Sequence, residues 1–207
     1  MNISLILAHP YEKSFNHGLA GHLAQALEDA GHSIRFHDLC EENFDPVMTT
    51  QELGTDMSED DLVLSHQNEL KTSDGIIVVH PNWWGQPPAV LKGWLDRVLR
   101  NGVAYKFGKK PDGTHGMIGL LPTQSLLVFS TSNTPSEVER TQWDDPLEAI
   151  WIKYVAGFCC IPQAKRVNFS PVVSSNPEQR LDWIRQAIQL ALEYYPPTSA
   201  ASRLAVP

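Results

Sequence analysis

Short apolar runs alternate along this chain with longer stretches of helical period. Ile3 to Ala8 and Gly75 to His80 are continuous apolar runs, the pattern of strands buried on both sheet faces. Ser125 to Phe129 and Ala164 to Phe169 read as further strands, and Ser33 to His37, short and mixed in polarity, reads as an edge strand. After Ser14, Leu19, Leu23, Ala26, Leu27 and Ala30 recur at helical spacing and stop at Gly31. Further helices are predicted from Asp61 to Lys71, over Val90 to Leu99 behind Pro87 and Pro88, from about Pro146 to Phe158, and from Glu178 to Tyr194. Pro81, which has no N–H to give, is expected to end the third strand. Such alternation predicts an α/β protein of three layers, a five-stranded parallel sheet with helices on both faces. Two stretches lack period and are expected to be irregular excursions, residues 40–61 and residues 101–124. The acidic run Ser58 to Asp61 reads as a helix start favoured by the dipole. Residues 1–195 are expected to form one domain and 196–207 a loose tail.

Composition narrows the function. A chain of 207 residues, 42% hydrophobic, is long enough for a packed core without disulfides or metal. Its formal charge of −8 removes the basic surface that nucleic acid or an anionic membrane needs, which leaves a small-molecule function. Three cysteines with no CxxC pair point to a reducing, cytoplasmic compartment and to no metal, with Cys159 and Cys160 read as buried packing. No apolar run is long enough to span a membrane, and no basic leader precedes the first strand.

In an open α/β sheet, ligands bind beyond the carboxyl ends of the strands, where the strand order reverses. With strand order 2-1-3-4-5 that point lies among three unusual stretches: HPYEKSFNH (9–17), HPNWWGQPP (80–88) and FSTSNTP (129–135). In the first, Ser14 is a good N-cap and the N–H groups of Phe15, Asn16 and His17 would face an anion such as phosphate. In the second, Trp83 and Trp84 are adjacent, so they cannot both enter the core, and one is expected to wall a flat heterocycle. The competing reading of the pair is core or dimer interface. The third offers hydroxyls, an amide and backbone N–H groups suited to the polar edge of a neutral ring, or else a simple turn. His80 and His115 are further candidates for substrate contact.

Taken together, LAHPYEKSFNHGLA, the Pro81-x-x-Trp84 stretch followed by PPAVLKGWLDRV, and NGVAYKF resemble the flavodoxin-like NAD(P)H:quinone oxidoreductases of the DT-diaphorase class, with their bacterial relatives and potassium-efflux ancillary flavoproteins. The resemblance covers roughly residues 3–170. It implies a flavodoxin-like three-layer sandwich and a flavin, FMN or FAD, with NAD(P)H as co-substrate and a quinone or similar flat acceptor reduced by two-electron ping-pong hydride transfer. His9, Ser14, Phe15, Asn16 and His17 would take the phosphate and ribityl chain. Pro81, Asn82, Trp83, Trp84 and Gly85 would line the ring, and Ser130, Thr131, Ser132 and Asn133 its pyrimidine edge. Tyr105 and Phe107 match an aromatic pair that reaches the partner's substrate pocket, which implies a homodimer with shared active sites. The resemblance also allows a redox-sensing regulatory subunit of a potassium-efflux transporter. The Tyr and His that follow the third loop in the family are absent here, so the catalytic residues stay unassigned.

Overall fold

The computed structural model describes residues 1–55 and 57–198. From its start the chain runs β1 (Asn2–Leu7), α1 (Phe15–Asp29), β2 (Ser33–Asp38), α2 (Thr50–Thr55), α3 (Asp61–Leu70), β3 (Gly75–Pro81) and α4 (Ala89–Val98). A hairpin of β4 (Tyr105–Lys109) and β5 (His115–Gly119) precedes β6 (Ser125–Thr131), α5 (Ser136–Trp143) and α6 (Pro146–Glu148). α6 passes without a break into a π-helical stretch (Ala149–Val155) and α7 (Ala156–Cys159), followed by β7 (Gln163–Phe169) and α8 (Pro177–Tyr194). Five strands form one parallel sheet in the order β2-β1-β3-β6-β7, the expected topology.

Because side chains alternate across a strand, the continuous apolar runs feed two cores. Ile3, Leu5, Leu7, Ile77, Val79, Leu127 and Phe129 face α1 and α8, whose Leu19, Leu23, Leu27, Trp183 and Ala187 cover them. Ile6, Ile76, Val78, Leu126 and Val128 face the other way, against Val63, Leu91, Trp94, Val98 and Trp151. Each buried Leu or Ile contributes roughly 1.5–3 kcal/mol, so these two layers fix the sheet in register.

The motif on α4 shows how densely one helix can be committed. Leu91, Trp94 and Val98 enter the core. A Cβ on Gly93 would lie 2.2 Å from Pro46 Cα, so glycine lets the 40s segment lie directly on the helix. Arg97 is buried, donating from Nε to both oxygens of Glu52 (3.1 and 3.2 Å) and from Nη2 to Asp60 (3.1 Å). Lys92 and Asp96 pair on the exposed side (2.6 Å).

Several expectations need correction. Residues 40–61 are not irregular throughout: they contain α2, whose Glu52 is buried and held by Arg97, Ser58 Oγ (2.8 Å) and Thr49 N–H (2.7 Å). Residues 101–124 contain the β4–β5 hairpin rather than a long loop. α5 was not expected, and the helix expected over 146–158 is α6, the π-helical stretch and α7 in succession. β3 ends at Pro81, as expected, although one further bond follows it, from Asn82 N–H to Thr131 O (2.6 Å). Cys159 is buried but Cys160 is exposed, at the left-handed φ of 52° that closes α7. Thr198 N–H donates to Ala30 O (2.9 Å), while residues 199–207 of the expected tail lie outside the described residues. No helix of the described residues is long and apolar enough to cross a membrane.

Candidate functional site

Beyond β1, Ser14 takes the extended conformation of an N-cap, and its Oγ accepts the His17 N–H (3.2 Å). The N–H groups of Phe15 and Asn16 are left without acceptors among the described residues, an open helix N-terminus suited to an anion. His17 is held by Ser14 Oγ at Nδ1 (2.9 Å) and by Asp38 at Nε2 (2.7 Å). His9 lies edge-on to His17 with ring centroids 6.1 Å apart, and 6.3 Å from the Trp83 ring, so this loop abuts the one after β3. Burial and the neighbouring His17 lower the His9 pKa against the smaller opposing effects of the Tyr11 N–H contact and Asp38. Phe15 and Asn16 turn their side chains inward: Phe15 packs on Phe169 and Trp183, and Asn16 Nδ2 bonds Thr131 Oγ1 (3.0 Å).

Beyond β3, Trp83 and Gln86 bond each other across a tight turn (3.0 and 3.1 Å) with Trp84 at φ 58° and Gly85 at φ 70°. Two successive positive φ values define the turn; Gly85 meets the requirement freely, and its absent Cβ would lie 2.7 Å from Pro146 Cγ. Trp84 meets it at a cost in strain and projects its whole side chain to solvent, 101% exposed. Asn82 sets this loop in place by accepting the Gly85 N–H at Oδ1 (2.8 Å) and donating to Glu139 Oε1 (3.0 Å).

Between this turn and the loop after β6 lies a cavity of about 900 Å³ lined by Asn82, Trp83, Trp84, Gly85, Ser132, Asn133, Thr134, Glu139, Trp143 and Pro146. The volume is within the range of small-molecule and cofactor sites. At its rim the N–H groups of Trp84, Asn133 and Thr134 have no acceptor among the described residues. Ser132 N–H is already bonded to Phe169 O (3.2 Å), and Asn133 Oδ1 accepts from Val173 N–H (3.0 Å), so these residues shape the loop as well as line it.

Of the residues expected at the site, Asn82, Trp83, Trp84, Gly85, Ser132 and Asn133 line this cavity, and the 9–17 loop abuts it. Others do not face it. Ser130 is buried, on the sheet face shared with His80, where Arg166 Nη1 donates to its Oγ (2.7 Å). Thr131 and Pro81 are buried as well. His80 is corrected as a substrate contact: it is buried, accepts from Trp151 Nε1 at Nε2 (2.9 Å), and burial, with Arg166 nearby, lowers its pKa to about 4 despite its contact with Pro81 O. Tyr105 packs on Phe158, whereas Phe107 is exposed with its ring 6.5 Å from that of His115, and none of these lines the cavity. Glu139 and Trp143 were missed, because SEVERTQW reads as an ordinary solvated stretch. A faint signal was the aromatic at its end.

A second group lies under α4. His37, Glu42 and His66 bring three ligand atoms within 4.8 Å of one another. Their protons are already shared: Trp94 Nε1 donates to His66 Nδ1 (2.9 Å), so His66 carries its hydrogen on Nε2, toward Glu42 (3.1 Å). His37 bridges Glu42 (2.7 Å) and Glu69 (2.9 Å). A cation at His66 Nε2 would move the ring proton to Nδ1, against the indole N–H, so His66 as placed serves the hydrogen-bonded network rather than as a cation ligand.

A family model for the flavodoxin-like fold matches residues 1–192. An NAD(P)H oxidoreductase of uncharacterised role from Haemophilus influenzae is 36% identical over 194 residues, 91% of this chain and 93% of its own. Among solved structures, NAD(P)H:quinone oxidoreductase from Methanothermobacter marburgensis superposes with a TM-score of 0.79 at 20% identity, covering 94% of this chain and 97% of that one. The FMN-dependent NADH-azoreductase from Bacillus anthracis, solved with FMN, gives 0.67 at 18% identity, with all of both chains covered.

Proposed function

Because the chain belongs to the flavodoxin-like NAD(P)H:quinone oxidoreductase family, we propose that it is a flavin-dependent enzyme passing hydride from NAD(P)H to a quinone or similar flat acceptor. The observation that carries this reading is the junction of an open helix N-terminus after β1 with an aromatic-walled cavity between the loops after β3 and β6. Phe15 and Asn16 N–H, with Ser14 and His17, would bind the flavin phosphate. The turn at Trp83, Trp84 and Gly85 would press on the ring, and the Asn133 and Thr134 N–H groups would face its pyrimidine edge. Ser130, Thr131 and Pro81 support these loops from beneath, so their part is positional.

The bound flavin supplies the hydride acceptor and donor; the chain supplies orientation and the N–H groups that favour added electron density. The strained Trp84 stands ready to be covered, either by ligand or by a second copy. Phe107, exposed on the hairpin, would reach the partner's cavity in a homodimer. Free thiols and the absence of a membrane-spanning helix among the described residues accord with a cytoplasmic enzyme. The relatives named above are enzymes, and no observation favours the transporter-subunit reading.

Steady-state NAD(P)H oxidation with a soluble naphthoquinone, both substrates varied, tests the reaction. Parallel double-reciprocal lines are expected, as product leaves before the acceptor enters. Absence of turnover in flavin-loaded protein, or intersecting lines, would refute the ping-pong scheme.

A further inference from the structure

Among the residues lining the aromatic cavity, Glu139 alone is titratable. It projects from α5 and is only 5% exposed. One carboxylate oxygen is anchored by Asn82 Nδ2 (3.0 Å), whose amide orientation is fixed because its Oδ1 takes the Gly85 N–H. The other oxygen has no hydrogen-bond partner among the described residues, and it is not sealed from solvent. The charged groups acting on it are Asp145 and Arg166. Arg166 is committed elsewhere, to Ser130 (2.7 Å), to Glu148 (3.2 Å) and to Asp145 itself. Burial first, then Asp145, raise the Glu139 pKa above the ordinary glutamate value, and they outweigh the opposing effects of Asn82 and Arg166. Nothing in the hydrogen bonding of the fold requires this carboxyl group to be an acid: an amide would accept from Asn82 equally well.

We propose that Glu139 is the proton donor for acceptor reduction in this cavity, an inference that rests on the flavin reading above. Reducing a quinone to a hydroquinone consumes one hydride and one proton. The electron pair and one hydrogen come from NAD(P)H, which leaves as NAD(P)+. The O–H bond of Glu139 breaks as an O–H bond forms on the quinone oxygen, so the two hydroxyl hydrogens of the product are accounted for. The resulting carboxylate is steadied by the side-chain amide of Asn82, donating from Nδ2, and is reprotonated from water entering the open cavity.

Glu139→Gln keeps the volume and the acceptor for Asn82 and removes only the transferable proton. It should bind flavin at wild-type stoichiometry, lose about 10²-fold or more in kcat/KM for the quinone, and lose the wild type's decline in rate as pH rises; Glu139→Asp should restore that pH dependence. Wild-type rate and pH profile in Glu139→Gln would overturn the proposal. A second measurement needs no substitution: titration of the Glu139 carboxyl carbon by NMR in the wild-type protein. A midpoint clearly above the ordinary value of about 4.3 is expected, and one at or below it overturns the proposal. Wild-type protein that takes up no flavin, or oxidises no NAD(P)H, would instead defeat the flavin reading itself.

Discussion

The cavity beyond β3 and β6 and the polar network beneath α4 both set carboxylates beside indoles, yet they differ in what is left unpaired. Beneath α4, Arg97 meets Glu52 and Asp60, Trp94 meets His66, and His37 lies between Glu42 and Glu69. In the cavity, three backbone N–H groups and one oxygen of Glu139 lack partners among the described residues, and Trp84 is exposed at a positive φ. A saturated cluster of titratable groups stabilises a fold. An unsaturated, strained one is organised to receive something.

The largest effect that separates the two regions is expected at Arg97. Arg97→Met strands Glu52 in the core and should cost about 3–5 kcal/mol in urea unfolding. Flavin affinity per folded molecule should be unchanged; a loss below about 1 kcal/mol would mean the network is not structural. Trp84→Ala should do the opposite. Its side chain is exposed, so stability should move by no more than about 0.5 kcal/mol, while flavin affinity falls about 10-fold with the lost aromatic contact. A stability loss without an affinity change would assign Trp84 to a packing interface instead.

Smaller still, Ser14→Ala removes the cap of α1 and should cost about 1 kcal/mol of stability. If the open N-terminus holds a phosphate, free phosphate should protect the wild type against unfolding more than this variant, and equal protection would exclude the site.

The smallest expected effect is the pH dependence that the network imposes. Burial pulls the His37 pKa down, but hydrogen bonds and charge from Glu42 and Glu69 outweigh it and the net shift is upward from 6.5. Its contribution is therefore complete below pH 6.5 and is lost as pH rises through the folded pKa. Burial pushes Glu42 up, but hydrogen bonds and charge from His37 and His66 prevail and lower it from 4.5 to about 2. That contribution is complete above pH 4.5 and is lost as pH falls through about 2. The urea midpoint of His37→Gln should lack the alkaline decline of the wild type; an unchanged decline would assign it to another group.

Legibility in the sequence followed the same divide. Strands whose two faces are both buried, such as Gly75 to His80, announce themselves as apolar runs. α2 was invisible because Glu52, its buried residue, is charged, and its partner Arg97 lies far along the chain. The hairpin was hidden by exposure, since a two-stranded pair with Lys106 and Phe107 exposed leaves little alternation to read. His80 was misjudged although alternation places it with Val78 on the face covered by Trp151. The loops of the cavity were found through their position at strand ends and their aromatic, uncharged character, whereas Glu139 comes from a helix whose polar sequence looks solvated.

The most direct test is a titration of the purified, flavin-depleted protein with FMN and with FAD, followed in the visible spectrum. The account predicts saturable binding of one flavin per chain, with the bound chromophore bleached anaerobically by one equivalent of NAD(P)H. Failure to bind either flavin would contradict it.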